Sequence, residues 1–309
     1  MTRVLRKIEK SLRAPNTFFS YVINRRWVSS IFTDKTYLKL KYRIIMQKKL
    51  NLKNPQGFNE KLQWLKLYDR RTLFTQLVDK YEVRKYISDT AGEQYVVPLL
   101  GVWNHFEEID FDALPDQFVL KCNHDSGSTI VCKNKQQFDI YKAGERINER
   151  LARNHFLLGR EWPYKNIKRK VIAEVYLEDA SGTLRDYKFY CFNGKAKMIY
   201  FSEGLSDLST AKYAVLTTDW KKLMNPGFGH VEIEELPEKP EKLDKMVVVA
   251  EKLSSVAHFL RVDFYEVNGQ VMISELTFYP YTGMMKFVGD NDDEMLGSWL
   301  ELPETLTRI

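Results

Sequence analysis

The sequence is poor in the residues that make disulfide frameworks and zinc sites. Its 309 residues include three cysteines and five histidines. Cys122, Cys132 and Cys191 form no C-x-x-C pair and leave an odd count, and the histidines show no H-E-x-x-H spacing. Reduced thiols and a cytoplasmic location are therefore expected, and a zinc site is not. No run approaches the roughly 20 apolar residues that span a bilayer. The early apolar stretch FFSYVI is cut by Asn24-Arg25-Arg26, which argues against a signal peptide. Repeats, low-complexity tracts and a G-x-x-x-x-G-K-[ST] loop are all absent. Acidic charge is scarce at one end only. Residues 1–50 carry 13 Lys/Arg and 2 Asp/Glu, a net of +11, whereas the other 259 residues are net −5.

What is present suits a globular chain. Hydrophobic residues make up 44% and charged residues 28%, and 17 Tyr with 18 Phe supply a sizeable core. The length allows one large domain or two to three subdomains. MTRVLRKIEKSLR places Val4, Leu5, Ile8 and Leu12 on one helical face and basic residues on the rest. A second basic helix is expected from Asp34 to about Lys49, and a third from about Asn59, a candidate N-cap, to Asp69. This end reads either as a docking surface for anionic lipid or an acidic polymer, or as a helical subdomain with a solvated basic face. Further on, DQFVLKCNHDSGSTIVCKN reads as strand, polar turn, strand, and DYKFYCFNGKAKMIYF as a hairpin around Asn193-Gly194. Helices and hairpins alternate without regular βαβ spacing, so the fold class is α+β with mixed or antiparallel sheets.

Two stretches could carry phosphate chemistry. VLKCNHDSGSTIV puts Lys121 at a strand end before Ser126, Gly127 and Ser128. Small residues let backbone N–H groups approach a phosphate, and a lysine adds a point charge. A plain turn beside a solvated lysine is the other reading. In DYKFYCF, strand alternation puts Asp186 and Lys188 on one face, as a site or as a surface ion pair.

LRVDFYEVNGQVMISELTFYP, residues 260–280, poses a sharper question, because charged groups sit inside two apolar runs. A two-residue loop at Asn268-Gly269 pairs Val267 with Gln270 and Asp263 with Ser274, which leaves Glu275 on the opposite face. A three-residue loop with Gly269 left-handed, or a bulge, changes the parity. Val262 and Phe264 then share a core face with Met272 and Leu276, and Arg261, Asp263, Glu275 and Thr277 share the other. A plain two-residue turn is thus not expected. Two adjacent carboxylates repel, and either Mg²⁺ or a salt-bridge cluster with Arg261 offsets that repulsion.

The order of these elements resembles the ATP-grasp superfamily, and more closely its TupA-like members, named for teichuronopeptide biosynthesis. FNEKLQWLKLYDR, LVDKYEVRKYI, VPLLGVW, LPDQFVLKCNHDSGS, REWPYKNIKRKVIAEVYLED, DYKFYCFNGK, VDFYEVNG, ELTFYP and LGSWLELP carry the resemblance across about residues 36–303. It implies an ATP-grasp fold in which two α+β subdomains clamp ATP. The N-terminal basic helical segment would cover residues 1–70, the subdomain with the phosphate loop 71–172, and the subdomain with the hinge and metal site 173–309. It also implies ATP and Mg²⁺ as cofactors and gives site residues their roles. Lys80 and Lys121 contact nucleotide phosphates, and Ser126, Gly127 and Ser128 form the phosphate loop. Glu174 to Leu177 form the adenine hinge, Asp186 lies near the ribose, and Lys188 reaches toward the phosphates. Asp263 and Glu275 bind Mg²⁺ with Thr277, which stands where many ATP-grasp enzymes have Asn, and Arg261 stabilises the transferred phosphoryl.

The activity so implied is a carboxylate–amine ligase working through an acyl phosphate. By analogy it joins a uronic-acid carboxyl of a surface polysaccharide, or its precursor, to an amino acid or amino alcohol. A kinase acting on a sugar or polyol hydroxyl and a glycosyltransferase of polysaccharide biosynthesis are the alternatives. Expected partners are the carboxylate and the amine, with peripheral membrane or acidic-glycan contact through residues 1–50 and no nucleic acid.

Overall fold

The computed structural model describes residues 31–178, 184–204, 211–225 and 231–303. The helix expected over residues 1–13 lies outside them. Helix α1 (Asp34–Met46) starts where the sequence places it, with Thr33 Oγ1 accepting from the Thr36 N–H at 3.3 Å as an N-cap. Helix α2 (Phe58–Tyr68) starts differently from expectation. Gly57, not Asn59, is its N-cap, and Gly57 has no side chain to cap with. Asp293, far along the chain, takes that role: its Oδ1 accepts from the Asn59 N–H at 2.9 Å and from Asn59 Nδ2 at 3.0 Å. A Cβ on Gly57 would lie 2.4 Å from Asp293 Oδ2, so the cap needs glycine there.

Short helices α3 (Leu73–Val78) and α4 (Val83–Ala91) precede strands β1 (Leu99–Trp103), β2 (Phe118–Cys122) and β3 (Ile130–Cys132). Helix α5 (Ile140–Leu151) and the single turn α6 (Phe156–Gly159) then lead into β4 (Val171–Val175). These strands form an antiparallel sheet ordered β1-β4-β2-β3. β4 runs across the boundary expected between residues 172 and 173 and stays with this sheet. A separate apolar cluster, including Phe118, Leu120, Ile147 and Val171, lies between the sheet and α5.

The rest of the chain builds a larger sheet. Strands β5 (Arg185–Phe192) and β6 (Lys195–Glu203) form a hairpin whose turn residues Asn193 and Gly194 have φ of 48° and 77°. β7 (Lys212–Leu216), β8 (Lys222–Met224) and β9 (Val231–Glu232) follow, then helix α7 (Leu243–Ser254), strands β10 (Phe259–Val267) and β11 (Gln270–Thr277), and helix α8 (Asp292–Trp299). The order is β11-β10-β5-β6-β7-β8, with β9 pairing parallel to β7. Strand alternation divides this sheet sharply. Val262, Phe264, Phe189 and Phe201 point into the main core, whereas Arg261, Asp263, Asp186 and Lys188 point to the other face.

Helix α2 is part of that core rather than an appendage. Phe58 is fully buried, with its ring 4.9 Å from Phe259 and 5.5 Å from Phe192. Helices α1 and α2 also supply buried cations. Lys41 donates to the Leu158 carbonyl and Lys66 to the Gly159 carbonyl at 2.9 Å, while the Tyr37 hydroxyl reaches the Leu157 and Leu158 carbonyls. Orphan carbonyls at the end of α6 are thus capped from a distant part of the sequence.

Candidate active site

The β10–β11 hairpin has the parity that brings its acids together, by a different device from the one expected. Its turn is a plain two-residue one: Val267 pairs with Gln270, and Asn268 and Gly269 both adopt left-handed φ, 50° and 73°. Such a turn matches the twist of the flanking strands, so the extra residue is carried by a bulge further in. Phe264 pairs with Ile273 but Asp263 pairs with Glu275, leaving Ser274 as the bulged residue. The Ser274 hydroxyl closes the bulge on the Asp263 carbonyl at 3.3 Å. Met272 is therefore not on the core face. It pairs with Tyr265 and is half-buried, and Ile273 takes the core position at 3% exposure.

Arg261 stands between the two acids. Its Nε and Nη2 donate to Asp263 Oδ1 and Oδ2 at 2.7 and 2.5 Å, and Nη2 also donates to Glu275 Oε1 at 2.9 Å. Thr277, paired with Arg261 in the register, accepts from Nη2 at 3.2 Å and donates to Glu275 Oε1 at 3.1 Å. The salt-bridge cluster of the sequence reading is thus present. Glu275 Oε2 is left facing Lys80 Nζ at 3.7 Å. Burial opposes ionisation of Glu275, but Lys80, Arg261 and Lys188 hold its carboxyl down at about 2. Asp263, 2% exposed, is pushed up to about 7 by burial despite its bidentate arginine.

Across the cavity from this hairpin lie the 125–129 loop, Lys80 and Lys121, while Lys188 stands beside Asp263 on the neighbouring strand β5. Lys80 is fixed by its own N–H, which donates to the Asn123 carbonyl at 3.0 Å. The buried Asp79 carboxylate accepts from the Tyr81 and Glu82 N–H groups and from Asn123 Nδ2. Asn123 Nδ2 also reaches the Lys168 carbonyl, and its Oδ1 accepts from the Lys170 N–H, so one buried amide ties three segments together. Ser128 is 2% exposed, and its hydroxyl accepts from the Cys122 N–H at 2.9 Å, which closes the loop on β2. Lys188 ion-pairs with Asp186 on β5. A polar cavity of about 170 Å³ is lined by Lys80, Lys121, Lys188, Asp186, Asp263 and Glu275 together with the 125–129 loop. Asp186 Oδ1 is buried there with no hydrogen-bond partner.

A second cavity, of about 100 Å³, adjoins the first and shares Lys121, Thr129 and Tyr265 with it. Val97, Val119, Val131, Leu184 and the Glu174–Leu177 segment form its walls, giving a narrow apolar slot. The Glu174 carboxylate is turned onto Lys121 at 2.6 Å and Arg84 at 3.5 Å. The structure therefore places Lys80, Lys121, Ser126, Gly127, Ser128, Asp186, Lys188, Asp263 and Glu275 around one cavity and Glu174 and Leu177 around its neighbour. Arg261 and Thr277 line neither and reach the site through the acids they hold. Sequence reasoning missed Asp79 and Asn123, whose signal was polar residues embedded in the apolar runs LVDK and VLKCN. It also missed Tyr265, which strand alternation puts on the Asp263 face and which lines both cavities.

The described residues contain no group of three His, Cys, Asp or Glu side chains placed to hold a metal ion. Asp263 and Glu275 present hard carboxylate oxygens to the polar cavity, with Thr277 behind them on Glu275, and sites of that kind usually complete Mg²⁺ with substrate phosphates. The donor set fits such an ion, and the three lysines beside an apolar slot fit a nucleotide.

A model of the family described as TupA-like ATPgrasp matches residues 60–301. No curated protein matches the chain. Among solved structures, an L-amino acid ligase from Bacillus licheniformis is 9% identical with a TM-score of 0.45, over 82% of this chain and 57% of that one. A D-alanine–D-alanine ligase from Helicobacter pylori is 14% identical with a TM-score of 0.41, over 80% and 70%. The corresponding enzyme from Bacillus anthracis, complexed with ATP, is 16% identical with a TM-score of 0.37, over 66% and 54%. The chain thus spans little more than half the length of two of these proteins.

Proposed function

Because the chain belongs to the TupA-like ATP-grasp family, we propose that it is an ATP- and Mg²⁺-dependent ligase that joins a carboxylate to an amine. The observation that carries this reading is the pair of adjoining cavities, an apolar slot beside a cavity lined by three lysines and the four acids Asp125, Asp186, Asp263 and Glu275. The four-stranded and seven-stranded sheets are the two subdomains, and the cavities use residues from both. Leu177 and its neighbours would enclose the base, Lys80, Lys121 and Lys188 would hold phosphates, and Asp263 and Glu275 would hold the metal, with Thr277 orienting Glu275 from behind. Bound there, Mg·ATP supplies the phosphoryl group that activates the carboxylate. Arg261 is kept charged by Asp263 and Glu275 and offsets negative charge as it develops. The amine nitrogen then attacks the activated carbonyl, phosphate leaves and an amide forms.

By family analogy the carboxylate is a uronic-acid group of a surface polysaccharide or its precursor, and the amine is an amino acid or amino alcohol. The test is a screen for ADP release with ATP and Mg²⁺ across carboxylates crossed with amines. Release that needs both partners is expected. Release with a sugar alcohol alone, yielding a phosphorylated sugar, would move the reading to a kinase.

The basic end supports peripheral docking on an anionic membrane. No described helix is long and apolar enough to cross a bilayer, but Lys35, Lys39 and Arg43 are exposed at four-residue spacing along α1, followed by exposed Lys48 and Lys49. Co-sedimentation with anionic vesicles that weakens steeply with salt is expected, and equal sedimentation with neutral vesicles would exclude it.

A further inference from the structure

The loop joining β2 to β3 is polarised by cations. Three successive carbonyls each accept from a different side chain: Asp125 from Lys80 Nζ at 2.5 Å, Ser126 from Arg150 Nη1 at 3.4 Å, and Gly127 from Arg146 Nη2 at 3.2 Å. Arg150 Nη1 also lies 3.6 Å from the buried Asp125 carboxylate. Arg146 and Arg150 are one turn apart on α5, so a single helix face holds two consecutive peptide groups. Gly127 has φ of +84°, where a side chain is strained. Among the described residues, the N–H groups of Ser126, Gly127, Ser128 and Thr129 have no acceptor within the protein. Side chains from this same loop line the polar cavity.

Resting on the ATP reading above, we propose that Arg146 and Arg150 are positioning residues. By holding the Ser126 and Gly127 carbonyls on the α5 side, they leave the loop's N–H groups free for phosphate oxygens. Successive free N–H groups form a concave anion site, and fixing them in advance lowers the ordering cost of binding. The loop has one glycine, and this pair of arginines supplies the definition that its sequence does not. Neither arginine need touch the nucleotide.

The test compares the unmodified chain with Arg146→Ala/Arg150→Ala and with Arg146→Lys/Arg150→Lys. Binding of Mg·ATP, ADP and adenosine is measured by calorimetry, and 15N relaxation of residues 126–129 is followed without nucleotide. Expected for the alanine pair is a tenfold or greater loss of Mg·ATP and ADP affinity, adenosine affinity within twofold, and a loop more mobile before any ligand is added. The lysine pair should recover most of the affinity, since an ammonium can also donate to the carbonyls. Unchanged ATP affinity overturns the proposal. So does a loss with an equally rigid loop, which would mean direct phosphate contact, or an equal loss for adenosine, which would mean general damage. If the unmodified chain binds adenosine and ADP but the alanine pair does too with equal strength, this proposal fails while the nucleotide reading stands. If the unmodified chain binds none of the three, the nucleotide reading itself fails.

Discussion

Two buried cations, Arg261 and Lys66, satisfy themselves in opposite ways. Arg261 is offset by charge, with Asp263 and Glu275 both within hydrogen-bond reach and both lining a cavity. Lys66 is fully buried and held mainly by dipoles: the carbonyls of Gly159 at 2.9 Å and Thr282 at 2.6 Å, and Gln63 Oε1 at 3.1 Å. Charge neutralised by charge beside an opening can be reorganised by a ligand. A lysine closed in by carbonyls has nothing to exchange with, so it fastens segments together. Lys66 joins α2 to the end of α6 and to the 279–283 turn, which follows closely on β11. There Tyr281 and Thr282 adopt left-handed φ of 50° and 53°, a conformation that needs such restraint.

The comparison breaks most visibly at the acids. Asp263→Asn and Glu275→Gln are each expected to lower ATP turnover about a thousandfold, on the order of 4 kcal/mol of transition-state stabilisation. The folded protein should persist, as thermal melting would show. Lys66→Ala should do the reverse. It strips the Gly159 and Thr282 carbonyls of their donor, for a stability loss of roughly 3 kcal/mol in denaturant titrations, while turnover per folded molecule changes little.

Lys66 also sets a pH dependence. Burial lowers it to about 7, with Glu161 opposing the shift and Lys41 adding to it. Its folded pKa lies below the unfolded value of 10.5, so between the two the unfolded chain binds more protons. The stability penalty is therefore full below pH 7 and relieved as pH rises toward 10.5. Stability should increase by roughly 2 kcal/mol from pH 7 to pH 9 through this group, and Lys66→Met should lose that increment. A slope unchanged in Lys66→Met would remove Lys66 as its source. The smallest effect is expected at Thr277. Thr277→Val keeps the shape but loses both the hydrogen bond to Glu275 and the one from Arg261, for about a tenfold fall in kcat/KM, near 1.4 kcal/mol.

The same contrast separates what could be read in the sequence from what could not. The hairpin acids were legible because strand periodicity is local: an apolar alternation across residues 260–280 already forces Arg261, Asp263, Glu275 and Thr277 to one face. Even there, a bulge and a longer turn alter parity alike, and only the packed sheet shows that Ser274 is the extra residue. The Lys66 junction was not legible. Its partners are 93 and 216 positions away in the chain, and nothing in KLQWLKLYDR distinguishes a buried lysine from a solvated one. The cap of α2 was misread for the same reason, since Asp293 supplies it from 234 positions away. The basic end was read as one surface, yet α1 divides its cations between a buried Lys41 and exposed Lys35, Lys39 and Arg43.

Activation of a carboxylate at the Asp263–Glu275 end of the cavity would leave an isotopic signature in the products. Turnover of an acceptor carrying 18O in its carboxylate tests this most directly, with the phosphate released alongside ADP read by mass spectrometry. Activation by phosphoryl transfer predicts one 18O atom in each phosphate and one kept in the amide product. Unlabelled phosphate beside an amide, or a phosphorylated hydroxyl with both labels still in the carboxylate, would contradict it.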